Sequence, residues 1–378
     1  VNKLYKQTGS IFEYPKIIID KKKLYDNCSL IINRFAKKNI TVNPVIKALA
    51  GFMPAVLPIV STHPACILDS CIHNLHSLGN VLLKKNIQIK TGIIKLPSQC
   101  ESESFNFDKF TPDYQYVSDI SHIDMVAKYY NKGRKKTGII IMADSGDLRE
   151  GVPLNELDCF LKKALAIKNA DIKGIATNHA CFSGIVPTNA NLNYFMDMVE
   201  KAEKRNKFEF EIISGGNSSL IGLIENNKIP ERINNVRIGE AILLGTDVLT
   251  RQPIKWLNQG VFKARAEILE YREKEAIIEG IRTQNAFGEI LNVNSSFTGG
   301  KLHKRALLNL GKRHFMVNGI KPLNKGIYVV GASSDYTILD MTGGKEAKHP
   351  EFIELELDYP ALMSVMQVIG KNINFEII

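Results

Sequence analysis

No apolar run in the chain is long enough to cross a bilayer, because Lys, Asp, Asn or Gly interrupts every candidate. There is no CxxC pair, and the six cysteines at 28, 66, 71, 100, 159 and 181 follow no regular framework. In a chain of 378 residues this reads as reduced thiols in a cytoplasmic protein rather than a disulfide scaffold. The opening VNKLYKQTGSIFEYPK lacks an apolar core followed by small residues, so no secretory signal is expected. Residue 1 is Val, which leaves room for an initiator or an upstream segment. One cluster, His63, Cys66, Cys71, His73 and His76, invites a metal, but its spacing fits no zinc template and the segment reads as a strand running into a helix. No metal is expected. Aromatic residues do not interleave the basic runs at 21–23, 37–38, 84–85 and 134–136 as a nucleic-acid groove would require. The formal charge of +10 is then a solvated basic surface with a weak pull on anions, and neither nucleic acid nor membrane is expected as a partner.

What the chain does have is an ordinary globular balance, 44% hydrophobic and 23% charged, enough for one large core or two. From about 15 to 247, short apolar runs alternate with helical patterns. The runs are PVIKAL at 44–49, CILDS at 66–70, TGIIKL at 91–96, YQYVSD at 114–119, TGIIIMAD at 137–144, DIKGIATN at 171–178, FEIISGG at 210–216 and NVRIGEA at 235–241. Most are Ile/Val-rich without clean alternation, as parallel strands buried on both faces require. Helical stretches such as NLNYFMDMVEKAEKRN carry apolar residues at three- and four-residue spacing. Eight strands separated by helices predict a (β/α)8 barrel over residues 15–247; an open doubly wound sheet is disfavoured because no Gly-rich fingerprint follows the early strands. Beyond 248 the texture changes: Ile353, Leu355 and Leu357 alternate with Glu354, Glu356 and Asp358, the mark of antiparallel strands with one wet face. Residues 248–378 are read as a mostly-β domain, with residues 1–14 a segment that adds a strand to it.

Barrel active sites lie at the C-terminal ends of the strands. There the sequence puts Lys47, Asp69 with Ser70, Asp144, Asn178, Ser214 with Gly215 and Gly216, and Arg237 with Gly239. Lys47 closes an apolar run; it either reaches solvent or enters a polar cavity, where a desolvated amine is the nucleophile that forms imines. The turns SGGNSS at 214–219 and RIGEA at 237–241 follow the seventh and eighth strands, where barrels bind phosphate: glycines admit an anion to the backbone and hydroxyls donate to it. A Gly-rich turn alone is usually only a turn. Two at the expected strands, with an imine-competent lysine on the first, point to phosphate binding.

Longer strings make the likeness specific: MADSGDLREGV at 142–152, GIATNHACFSGIVPTNANL at 174–192, ISGGNSSL at 213–220, VRIGEAILLG at 236–245 and VGASSDYTILDMT at 330–342. In these the chain resembles the alanine/ornithine racemase family that depends on pyridoxal 5'-phosphate, closest to its ornithine racemase branch. The resemblance implies the alanine racemase-like fold, also called fold type III: a barrel carrying the cofactor and a C-terminal β domain, assembled as a homodimer with shared active sites. It implies that Lys47 holds the cofactor and carries one of two protons. Asn178, Ser214, Asn217, Ser218, Arg237, Gly239 and Glu240 then surround the cofactor, with Arg237 facing its ring nitrogen. An arginine there cannot give up a proton, so the ring stays less electron-withdrawing, which favours return of the Cα proton over decarboxylation or elimination. A basic amino acid such as ornithine is the implied substrate, with Ser334 and Asp335 beside it, and Tyr336 or Cys181 as the second proton carrier.

The chain also departs from that pattern. Cys71 stands where the branch has Arg, His179 replaces an apolar residue, Tyr336 replaces a His, and Phe287 falls near the second catalytic Tyr of alanine racemases. Asp144, Asp147 and Arg149 admit either a structural ion-pair network or a catalytic part, whereas His73, His76, His122, His303 and His349 read as surface residues. Two other functions share the barrel. A lyase is disfavoured by Ser334, which stands where the decarboxylases have Cys, and by the missing metal motif of the aldolases. A cofactor-carrier protein of the homeostasis family has no C-terminal β domain, on which this chain spends about 130 residues.

Overall fold

The computed structural model describes residues 15–131, 133, 135–275, 280–281, 283–290, 302–344, 350–370 and 373–378. Its strands, in chain order, begin with β1 (Lys16–Ile19) and continue through β2 (Thr41–Pro44), β3 (Cys66–Asp69), β4 (Lys90–Ile93), β5 (Tyr114–Val117), β6 (Gly138–Asp144), β7 (Val152–Pro153), β8 (Asp171–Ala176), β9 (Ile212–Ser214) and β10 (Asn235–Ile238). Seven more follow: β11 (Phe262–Glu275), β12 (Leu302–Leu308), β13 (Ile320–Pro322), β14 (Tyr328–Ala332), β15 (Thr337–Asp340), β16 (Phe352–Leu357) and β17 (Asn374–Ile377). The chain divides into two compact units, Lys21–Gln259 and a second made of the described residues up to Asp20 with those of Gly260–Ile378, while residues 1–14, expected to add a strand, lie outside the described residues.

The first unit is a barrel. Its parallel strands run β2-β10-β9-β8-β6-β5-β4-β3, and a bridge between Val45 and Leu68, with the Ile46 N–H donating to the Leu68 carbonyl at 2.8 Å, nearly closes the ring. Inside it Cys66, Leu68, Tyr116, Ile140, Met142 and Ala176 form a buried layer, against which Val45, Ile94, Tyr114 and Ile212 pack. Alternate residues of each strand thus fill the interior and their neighbours face the helices, which is why the strands read as near-continuous apolar runs. The expected strand at 44–49 ends early, at Pro44. Ala50 and Gly51 take positive φ (48° and 72°), and Lys47–Leu49 winds into a 3-10 turn, so Lys47 lies just beyond the strand.

The longest helix, Asn189–Asn206, shows how local sequence sets the layer around the barrel. The Thr188 side chain accepts from the Asn191 N–H while the Asn191 side chain accepts from Thr188 N, a reciprocal cap. Leu192, Phe195, Met196, Val199 and Ala202 share the buried stripe, and the helix ends at Lys207 with φ 51°. Replacing Thr188 by Ala removes the cap at a cost of about 1 kcal/mol.

The second unit is one antiparallel sheet in the order β13-β16-β11-β12-β15-β14, with β1 pairing β11 and, in parallel, β17. A bulge between Ile268 and Glu270 divides β11, whose first half pairs β16 and whose second half pairs β12. Along β16 the residues Ile353, Leu355 and Leu357 are buried while Glu356 is exposed. His349 lies outside the described residues.

Candidate active site

At the C-terminal rim of the barrel the side chains converge on Arg237. It occupies β10 in register with Asn43, and its N–H donates to the Gly216 carbonyl at 2.9 Å. The guanidinium is buried, with its carbon 5.6 Å from the ring centroid of Tyr116, on top of the interior layer. Nη1 donates to Ser214 Oγ and Nη2 to the Thr177 carbonyl, each at 2.7 Å, and Asn178 Oδ1 lies 3.5 Å from Nη2. Burial lowers its pKa, yet a guanidinium starts so high that it stays a cation. The desolvation cost is met by an all-acceptor shell of hydroxyl, carbonyl and amide oxygen.

Asn178 and Asn217 extend this network. Asn217 Nδ2 donates to Asn178 Oδ1 at 3.0 Å and to the His179 carbonyl at 2.8 Å, while its Oδ1 accepts from the Ser219 N–H. Ser218 Oγ accepts from the Ala241 N–H at 3.4 Å, which brings the turn at 214–219 against the turn at 239–241. At Gly239 any Cβ would stand 3.2 Å from the Val45 carbonyl, tighter than ordinary contact, so the turn has little room for a side chain. Glu240 pairs with Arg251. Two buried polar atoms here lack a protein partner, Ser219 Oγ and His179 Nδ1. Paired hydroxyls, adjoining backbone N–H groups, an unpaired buried donor and a buried cation form a donor set that fits a phosphorylated aromatic cofactor.

Lys47 is half-buried, and its carbonyl accepts from the Ala50 N–H. On the neighbouring strand Asp69 is fully buried. Its carboxylate accepts from the Cys71 N–H and faces Asn74 Nδ2 at 3.3 Å. Burial raises its pKa to about 6, against the opposing effects of those donors and of Lys47.

Sequence reasoning left the loops after β6 and β8 undecided, and here the structure is more explicit. Asp147, also buried, accepts from the Cys181 and Phe182 N–H groups, each at 3.0 Å, and from Asn178 Nδ2 at 3.2 Å. Burial pushes its carboxyl up, but these donors and Arg149 together hold it below the ordinary value. Arg149 pairs with Glu150 and approaches the exposed Cys181 thiol, with Nη1 2.6 Å from Sγ. His179, which replaces an apolar residue of the resembled family, is fully buried and bonded through Nε2 to Ser145 Oγ at 3.0 Å; burial lowers its pKa. The signal for Asp147 was the pair of acids three residues apart in ADSGD, but nothing local says which of them turns inward.

The other expected site residues belong to the β unit. Ser334, Asp335 and Tyr336 form the turn between β14 and β15, closed by the Ser333 N–H donating to the Tyr336 carbonyl at 2.8 Å. Asp335 accepts from Ser334 Oγ at 2.8 Å and pairs with Arg313 at 3.0 Å, and Tyr336 is exposed. Phe287 lies under the Lys312 ammonium, 4.0 Å from the ring centroid. His303, expected at the surface, is instead partly buried and bonded to Asp340 at 2.7 Å; His76 packs among Phe105 and Phe110.

Comparison with known proteins decides the family. The family described as alanine racemase, N-terminal domain, matches residues 19–247. The chain belongs to the alanine racemase family. It is an amino-acid racemase, 31% identical to a lysine racemase of Thermotoga maritima and 32% identical to an ornithine racemase of Acetoanaerobium sticklandii, each over 93% of this chain and 96% of the relative. Its fold is that of an alanine racemase from Bartonella henselae whose structure carries covalently bound pyridoxal phosphate. The TM-score is 0.67 with 18% identity, over 97% of this racemase and 100% of that one. Among the described residues, no helix is long and apolar enough to cross a membrane, and no group of three His, Cys, Asp or Glu is placed to hold a metal.

Proposed function

We propose that this racemase uses pyridoxal 5'-phosphate bound to Lys47 and interconverts the enantiomers of a basic amino acid, ornithine or lysine. The observation that carries the cofactor assignment is the buried Arg237, bonded to Ser214 and beside Asn178 between the two phosphate-type turns. The substrate class rests on the two relatives named for basic amino acids.

When bound, the cofactor supplies the electron sink that makes the Cα proton of an amino acid acidic. The residues of the chain do the rest. Ser218, Ser219 and the backbone at 239–241 would hold the phosphate, and Arg237 and Asn178 would hold the ring, Arg237 by a donor to its nitrogen. Lys47 removes or returns the proton on one face of Cα, and a second group must serve the other face. Tyr336 is the first choice because its turn is exposed and it carries a phenolic hydroxyl, and Cys181 is the second. Asp335 meets the distal ammonium of the substrate. The site is shared between two copies of the chain, with the 331–337 turn of one brought to the barrel rim of the other. Exposed Leu148, Phe182 and Val186 on the rim loops support burial of that face in a dimer.

The test is to load the purified protein with pyridoxal 5'-phosphate, reduce with borohydride and map the modified peptide. The adduct is expected on Lys47; an adduct on another lysine overturns the assignment.

A further inference from the structure

Asp147 has no part in the chemistry set out above, yet it is among the most buried charges of the barrel, 3% exposed. Its two oxygens are used differently. Oδ1 accepts from two backbone groups, the Cys181 and Phe182 N–H, whose positions the chain fixes. Oδ2 accepts from Asn178 Nδ2 and lies 4.0 Å from Arg149 Nε. The Asn178 amide is therefore held at both ends: its nitrogen by an acceptor, and its oxygen by Asn217 Nδ2 at 3.0 Å and Arg237 Nη2 at 3.5 Å. Turning it over would put donor against donor at Arg237 and Asn217. The two loops that Asp147 ties together are strained, with Leu148 at φ 55° and Ala180 at φ 52°, conformations that persist only where the surroundings enforce them.

We propose that Asp147 is a positioning residue: its carboxylate fixes which way the Asn178 amide points and so holds the guanidinium of Arg237 in one orientation toward the cofactor site. This rests on the cofactor assignment to Arg237 and Asn178. The near-isosteric change Asp147→Asn tests polarity with little change of shape. The two backbone donors keep the new amide oxygen in the place of Oδ1, so its nitrogen replaces Oδ2 and faces Asn178 Nδ2. Asn178 must then turn over and present its nitrogen to Arg237, or leave the contact. Asn178→Asp alone sets two carboxylates against each other. The double variant, Asp147→Asn with Asn178→Asp, restores the donor–acceptor pairs from Asp147 through Asn178 to Arg237 and Asn217, with the acid moved one position inward.

The experiment is a titration of the three variants and the wild type with pyridoxal 5'-phosphate, alongside urea unfolding of the cofactor-free proteins. Asp147→Asn is expected to weaken binding by about tenfold, and the double variant to bind more tightly than either single variant, a non-additive pair. If Asp147→Asn binds within twofold of wild type, or if the double variant binds no better than Asp147→Asn, Asp147 does not position Asn178. Where Asp147→Asn fails to fold, the double variant must recover a folded protein; failure to do so equally overturns the proposal. A wild-type protein that forms no Lys47 adduct would instead overturn the cofactor assignment, so the two failures are distinguishable.

Discussion

The carboxyl of Asp69 lies within the wall of the barrel and titrates at about 6, because burial disfavours its charged form more than its donors favour it. Its folded-state pKa lies above the unfolded value, so its contribution to stability is full below about pH 4 and is lost as pH rises through about 6. The difference is on the order of 3 kcal/mol. Asp69→Asn should therefore flatten stability between pH 4 and 8 in urea unfolding of the cofactor-free protein, whereas an unchanged slope would locate the titration elsewhere. At Asp335 the competing partner is Arg313, in an exposed pair worth little in water, so a substrate ammonium can take its place cheaply. Asp335→Asn is expected to lower kcat/KM for ornithine and lysine by about tenfold to a hundredfold through a lost charge-assisted contact. Turnover of alanine, which has no distal cation, should stay within about twofold. Equal losses on all three substrates would give Asp335 a structural part alone.

At the scale of elements, the proposed phosphate cup is two turns from different strands, held together where Ser218 Oγ accepts from Ala241 N–H. Replacing Ser218 by Ala and Gly239 by Val removes a hydroxyl and drives a side chain toward the Val45 carbonyl. Affinity for pyridoxal 5'-phosphate should fall at least about a hundredfold, with chemistry per bound cofactor much less affected. Unchanged affinity would move the phosphate to another site. These turns were legible in sequence because Gly, Ser and Asn cluster just where an apolar run stops. The barrel strands were legible for a related reason: burial on both faces leaves Ile/Val runs such as GIIIMA in β6. The end of β2 was not. Nothing in PVIKAL marks the left-handed Ala50 that winds Lys47 into a turn, since alanine has no preference for that conformation. The Asp147 clamp was hidden for a different reason, because it joins loops more than thirty residues apart with no periodicity between them.

For the whole molecule, the fold alone does not select a reaction, because one barrel and β domain can serve several chemistries. The proposed racemization requires two protons handled on opposite faces of one carbon, the first assigned in the proposal to Lys47 and the second to Tyr336 of a second copy or to Cys181. That claim is tested most directly by incubating the cofactor-loaded protein with L-ornithine, L-lysine and L-alanine in heavy water, then following enantiomer and isotope content together. The expected products are D-ornithine or D-lysine carrying deuterium at Cα, formed faster than D-alanine, with no decarboxylated amine released. Deuterium exchange with the L-configuration fully retained, or conversion to a decarboxylated amine, would contradict that claim.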